Sequence, residues 1–103
     1  MRQLVYSGAA RRSRGELLEY LTIEMGAEAL ARPIVSRIEE QCSKLAEPPT
    51  ILGRPCDDLS PGLRSFPFRG YATFMRYRET TLEIVNILHS RRGPDAIMSA
   101  NEH

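Results

Sequence analysis

The chain has 103 residues, 42% of them apolar and 26% charged, with a formal net charge of +1. That length holds one domain, enough for one sheet packed on one or two helices, and the composition argues against disorder, collagen or a coiled-coil rod. The longest apolar run falls far short of the ~20 residues of a bilayer span, and no charged n-region leads into an apolar h-region, so the expectation is a cytoplasmic protein that makes no membrane contact.

Residues 1–6 hold a first strand, RQLVY, punctuated by Ser7-Gly8. A helical hairpin is expected over 8–47. Ser13 and Glu16 have capping-box spacing, and Ser7 is a rival N-cap with Ala9 and Ala10 just inside. Leu17, Leu18, Leu21 and Met25 then recur at helical spacing, and Gly26 suits the left-handed residue that ends such a helix. The second arm places Ile34, Val35, Ile38, Cys42 and Leu45 on one stripe and Glu39, Glu40, Ser43 and Lys44 opposite, an amphipathic helix with one buried side. Pro33 either opens this helix at its first position or kinks an earlier turn. Pro48-Pro49 stops it.

Residues 48–62, PPTILGRPCDDLSPG, read as a long loop. Loops of this length are usually functional or lie flat on the surface. Residues 63–92 read as three strands, Leu63–Phe68, Tyr71–Arg78 and Leu82–Ser90, whose short polar connections imply antiparallel hairpins. In the middle strand Tyr71, Thr73, Met75 and Tyr77 share one face, while Ala72, Phe74, Arg76 and Arg78 share the other. In the last strand, Leu82, Ile84 and Leu88 look like the helix-covered set. Residues 93–103 form a tail after Gly93-Pro94. The expected fold is α+β, β-α-α-β-β-β, with a helical hairpin on one face of a small antiparallel sheet.

Thirteen of the fourteen basic residues are arginine, Lys44 being the exception. Residues 1–47 balance seven basic against seven acidic groups. Residues 61–92 set Arg64, Arg69, Arg76, Arg78, Arg91 and Arg92 against Glu79 and Glu83, a local +4. A fixed, planar guanidinium suits phosphates and carboxylates, so the C-terminal half points to an anionic partner, or else to a solvated strand face. Cys42 and Cys56 lack CxxC spacing or a Cys/His cluster, which predicts free thiols, no metal site and no cofactor.

The segment PGLRSFPFRGYATFMRYRETTLEIVNILHSRR resembles the signature half of the RelE/ParE toxin superfamily of bacterial type II toxin–antitoxin systems. The likeness lies in Gly62-Leu63-Arg64, in Tyr71 with Phe74, and in Leu88-His89 followed by Arg91-Arg92. Leu45-Ala46-Glu47-Pro48 and Gly53-Arg54-Pro55 match the family's helix end and loop. The likeness is sharpest over about residues 45–92. Two positions depart from it: Met75 stands where the family often has Tyr, and Gly93 where Asp often follows the arginine pair.

The resemblance implies a toxin neutralised by a cognate, ParD-like antitoxin, with a role in plasmid stabilization. RelE-like members cut messenger RNA on the ribosome. ParE-like members bind DNA gyrase and block its cycle. Cleavage through the 2′-OH needs a base, an acid and a cation for the phosphorane. Arginine stabilises charge but cannot shuttle protons near neutral pH, and the last tyrosine, Tyr77, falls inside the sheet. The ParE-like branch is therefore favoured: an inhibitor of gyrase, not itself an enzyme and not a sequence-specific nucleic-acid binder. Were the chain a ribosome-dependent endoribonuclease instead, its catalytic candidates would be Arg64, His89 and Arg91. His89 is a possible general base, or a structural ring at the end of an apolar strand. Arg64 either serves function or bonds loop carbonyls, Asp57 or Asp58. Tyr71, Phe74 and Phe66 could stack bases or pack the core. Expected contacts to target or antitoxin are Arg64, Arg76, Arg78 and Arg91. Arg92 is expected to be structural.

Overall fold

A computed structural model describes residues 1–89. The elements are β1 (Gln3–Tyr6), α1 (Gly8–Met25), α2 (Glu28–Ala46), β2 (Arg54–Pro55), β3 (Arg64–Phe68), β4 (Tyr71–Tyr77) and β5 (Thr81–His89). They form one helical hairpin on a mixed five-stranded sheet of order β1-β5-β4-β3-β2.

Two features correct the expected three-stranded antiparallel sheet. First, β1 joins the sheet edge parallel to β5, with Leu4 opposite Leu82 and Tyr6 opposite Ile84. Parallel pairing needs a long connection, and everything between the two strands supplies it. Second, the 48–62 loop contains a strand of its own. Arg54 and Pro55 pair with Ser65 and Arg64, a length too short to leave any periodic signal.

The rival cap is the one used. Ser7 Oγ accepts from the Ala10 amide at 3.0 Å and donates to the Val85 carbonyl at 2.7 Å. Ser13 lies mid-helix, where its hydroxyl donates to Asn86 Oδ1 on β5. Gly26 closes α1 at φ +83°, its amide bonded to the Thr22 carbonyl at 2.9 Å, a backbone angle that costs other residues ~1–2 kcal/mol. Pro33 neither opens α2 nor ends it; the helix starts at Glu28 and runs through it. The ring forfeits one amide bond near the start, and the stripe Ala31, Val35, Ile38, Cys42, Leu45 is buried. That burial, at ~25 cal/mol per Å², outweighs one lost bond. Ile34 sits at the stripe's edge. In α1 only Ala10, Leu17 and Leu21 are buried, while Met25 is 38% exposed.

Two apolar clusters flank the sheet. The hairpin side gathers Leu17, Leu21, Ile38, Cys42, Met75, Leu82, Ile84 and Ile87. The other side gathers Leu63, Phe74, Val85 and Leu88, with Cys56 and Leu59 of the loop packed on them. A bulge explains the division. Phe74 pairs with Asn86 but Met75 pairs with Ile84, so Val85 is an extra residue in β5. A bulge offsets alternation. Leu82 and Ile84 face the helices as expected, but Leu88 belongs to the far cluster and Ile87 takes its place on the hairpin side. Arg91, expected as a contact, and Arg92, expected to be structural, both lie outside the described span.

Candidate functional site

The arginines expected to act together are distributed over both sheet faces. Arg64 opens β3 in register with Met75, on the hairpin side. Its Nε donates to the Leu52 carbonyl at 2.9 Å and its Nη2 to the Gly53 carbonyl at 2.7 Å. The fork therefore holds the 48–62 loop against the sheet. Gly53 lies beneath it at φ +89°, where a Cβ would come within 2.7 Å of Met75 Cε and 2.8 Å of the Ser65 carbonyl oxygen. Asp57 accepts from the Gly62 amide at 2.8 Å.

Arg76 is in register with Glu83 on the opposite face from Met75. Its Nε donates to the Pro61 carbonyl at 3.3 Å and its Nη2 to Ser60 Oγ. Arg78, just past β4, pairs with Glu83 at 3.5 Å and keeps 62% of its side chain exposed. Arg91 lies outside the described residues.

Two arginines escaped the sequence reading. Arg2 donates to the carbonyls of Arg78 at 3.0 Å, Pro49 at 3.3 Å, and Pro48 and Thr50 at 3.4 Å, and its guanidinium lies 4.9 Å from the Tyr77 ring centroid. It ties the end of α2 to the end of β4. Arg14 stacks 4.6 Å from the Tyr6 ring and pairs with Glu39 at 3.3 Å. Nothing local in the sequence separates these two from solvated arginines, because their partners are distant in the chain.

His89 ends β5 opposite Tyr71, the two rings meeting edge to face at 5.3 Å and 81°. Beside them α1 and the sheet enclose a cleft of about 420 Å³, lined among others by Ser13, Glu16, Leu17, Tyr20, Tyr71 and Ile87. Burial, aided by Tyr20, pushes the Tyr71 hydroxyl up. Phe74 is buried, and Phe66 and Tyr71 pack partly against the hairpin-side core.

This arrangement limits the chemistry. Arg64 and His89 both pair with β4, at Met75 and Tyr71 respectively. That spacing separates them by about 13 Å along β4 and about 10 Å across it, too far for one scissile phosphate when Arg64 is already engaged. Burial pushes the Cys42 thiol up, and no part of it is exposed, so it is not a thiolate nucleophile. Among the described residues, no three His, Cys, Asp or Glu side chains gather as metal ligands, and no helix is long and apolar enough to cross a membrane.

Residues 4–94 match the family model described as ParE toxin of type II toxin-antitoxin system, parDE. Among solved structures, one from a chromosomal ParDE toxin–antitoxin system of P. aeruginosa is similar at TM-score 0.76 and 21% identity. The match covers 86% of this chain and 96% of that one, and at that identity it speaks for the fold. No curated protein gives a significant match.

Proposed function

The chain belongs to the ParE toxin family of type II toxin–antitoxin systems, and on that premise we propose that it acts by binding DNA gyrase and arresting it, held in check by a cognate ParD-like antitoxin. The observation that carries this reading against mRNA cleavage is the dispersal of the candidate catalysts. Arg64 is bonded to its own loop and lies far from His89 along and across β4. No proton-transferring pair converges with a free guanidinium among the described residues, so a binding role fits better than 2′-OH chemistry.

The proposed contact set is Arg64, Arg76, Arg78 and Arg91. Of the described members Arg78 offers the most exposed guanidinium, which faces the Glu83 carboxylate at 3.5 Å. Arg76 and Arg64 act through the loop they hold, Arg76 at Ser60 and Pro61 and Arg64 at Leu52 and Gly53. Charges at such a rim set on-rate and salt sensitivity.

The test compares purified toxin in a gyrase supercoiling assay and in an mRNA-cleavage assay on programmed ribosomes. Inhibition of supercoiling with intact mRNA is the expected result. Cleavage that disappears in a folded His89→Gln variant would replace the gyrase reading with a ribosome-dependent endoribonuclease.

A further inference from the structure

The cleft between α1 and the end of the sheet has a chemistry that the gyrase reading does not use. Its floor is apolar: Leu17 and Ile87 are 9% and 3% exposed. Aromatic rings rise from both walls, Tyr20 on α1 and Tyr71 with His89 on the sheet. Tyr20 is 53% exposed and stands at the mouth. Glu16, one turn before Tyr20, supplies the cleft's carboxylate. Among the described residues, no arginine or lysine lines it. Arg69, at the β3–β4 turn, carries its guanidinium over the Phe68 ring instead.

We infer that this cleft is a seat for an arginine side chain presented by a polypeptide partner. A guanidinium is planar, stacks on tyrosine faces and forks onto a carboxylate, and its methylene stem lies on an apolar floor while the charged head stays near water. Rings, Glu16 and floor match those three parts in order. A cavity of about 420 Å³ is within the range of side-chain and small-ligand pockets. A phosphate or carboxylate would meet Glu16 with like charge, so the cleft opposes the anionic partner to which the arginine-rich strands point. It therefore gives the partner a second, oppositely charged anchor. The inference rests on the reading that a polypeptide partner binds this chain, but not on what the toxin arrests.

The probe is N-acetyl-arginine methylamide, titrated into the full chain and followed by NMR, with the citrulline analogue as a neutral isostere. The expected result is saturable shifts of Tyr20, Tyr71 and Leu17 signals. The arginine form should bind about tenfold more tightly than citrulline, the size of a cation–π contact reinforced by one carboxylate. Glu16→Gln and Tyr20→Leu alter exposed helix positions, so both should stay folded and should each erase most of that preference. Equal binding of the two analogues, no saturable shift up to the solubility limit, or a preference untouched in both variants would each overturn the inference. So would binding seen only when Arg91 and Arg92 are replaced by alanine, because the chain's own tail would then be the occupant. A supercoiling assay reads none of these outcomes, so failure here leaves the gyrase proposal standing, and the reverse holds.

Discussion

Replacing Arg64 by alanine separates a loop clamp from a target contact. The guanidinium makes two charge-assisted hydrogen bonds, at 2.9 and 2.7 Å, to carbonyls of Leu52 and Gly53. Each such bond contributes ~1.5 kcal/mol, at the lower end for charged donors because the site is partly exposed. The loss should therefore be about 2–3 kcal/mol, or a Tm lower by roughly 10–15 °C for a domain of this size. Arg69→Ala is the control. Its side chain is a cation–π neighbour of Phe68 at 5.6 Å, and an exposed contact of that kind is worth ~0.5–1 kcal/mol. Urea unfolding should show a lower midpoint for Arg64→Ala with an unchanged slope. Gyrase inhibition, normalised to folded protein, should fall only as far as the loosened loop allows. An Arg64→Ala protein that melts like the wild type but no longer inhibits would refute the clamp and restore Arg64 as a direct contact.

Gly53→Ala should cost about 2–4 kcal/mol, from a positive φ and from a Cβ within 2.8 Å of the Ser65 carbonyl oxygen; a melting curve within error of the wild type would count against the packing of the loop. Alkaline stability should decline because Cys42, Tyr6 and Tyr71 all have folded-state pKa values raised above 9.0, 10.0 and 10.0. The unfolded chain loses these protons first, so the contribution is whole below about pH 9 and is lost as pH rises above it, which urea midpoints across the alkaline range would show. The Tyr6 hydroxyl is buried, with only the Cys42 thiol as a weak companion and no hydrogen bond of ordinary geometry among the described residues. Tyr6→Phe should therefore be neutral or slightly stabilising and should flatten the alkaline decline; a loss above ~1 kcal/mol would mean the hydroxyl is satisfied. Under native conditions a thiol reagent should label Cys56, which is partly exposed, and spare Cys42, which is not; mass spectrometry of the labelled chain decides this.

Much of the architecture is legible in the residues because local signals carry it. The hairpin stands on the Val35, Ile38, Cys42, Leu45 stripe and the Gly26 stop. The three long strands stand on alternation and on short polar turns, and β4 keeps its two faces as expected, with Met75 toward the helices and Phe74 away from them. The family signature is likewise a run of neighbouring residues. What tertiary structure alone decided involves partners far apart in the chain. Ser7 and Ser13 both have the chemistry of a cap, and the choice between them follows from where β5 places the Val85 carbonyl and Asn86. The bulge at Val85 follows from fitting five consecutive apolar or amide residues, Ile84 to Leu88, between two separate cores. Arg2 looks like any surface arginine until Pro48, Pro49, Thr50 and Arg78 are brought around it. Six arginines close in sequence look like one basic patch, but strand alternation places Arg64 and Arg76 on opposite faces and loop carbonyls occupy both. Charge counts survive a change of scale from chain to surface only when the fold keeps the charges together, and in this sheet alternation separates Arg64 from Arg76.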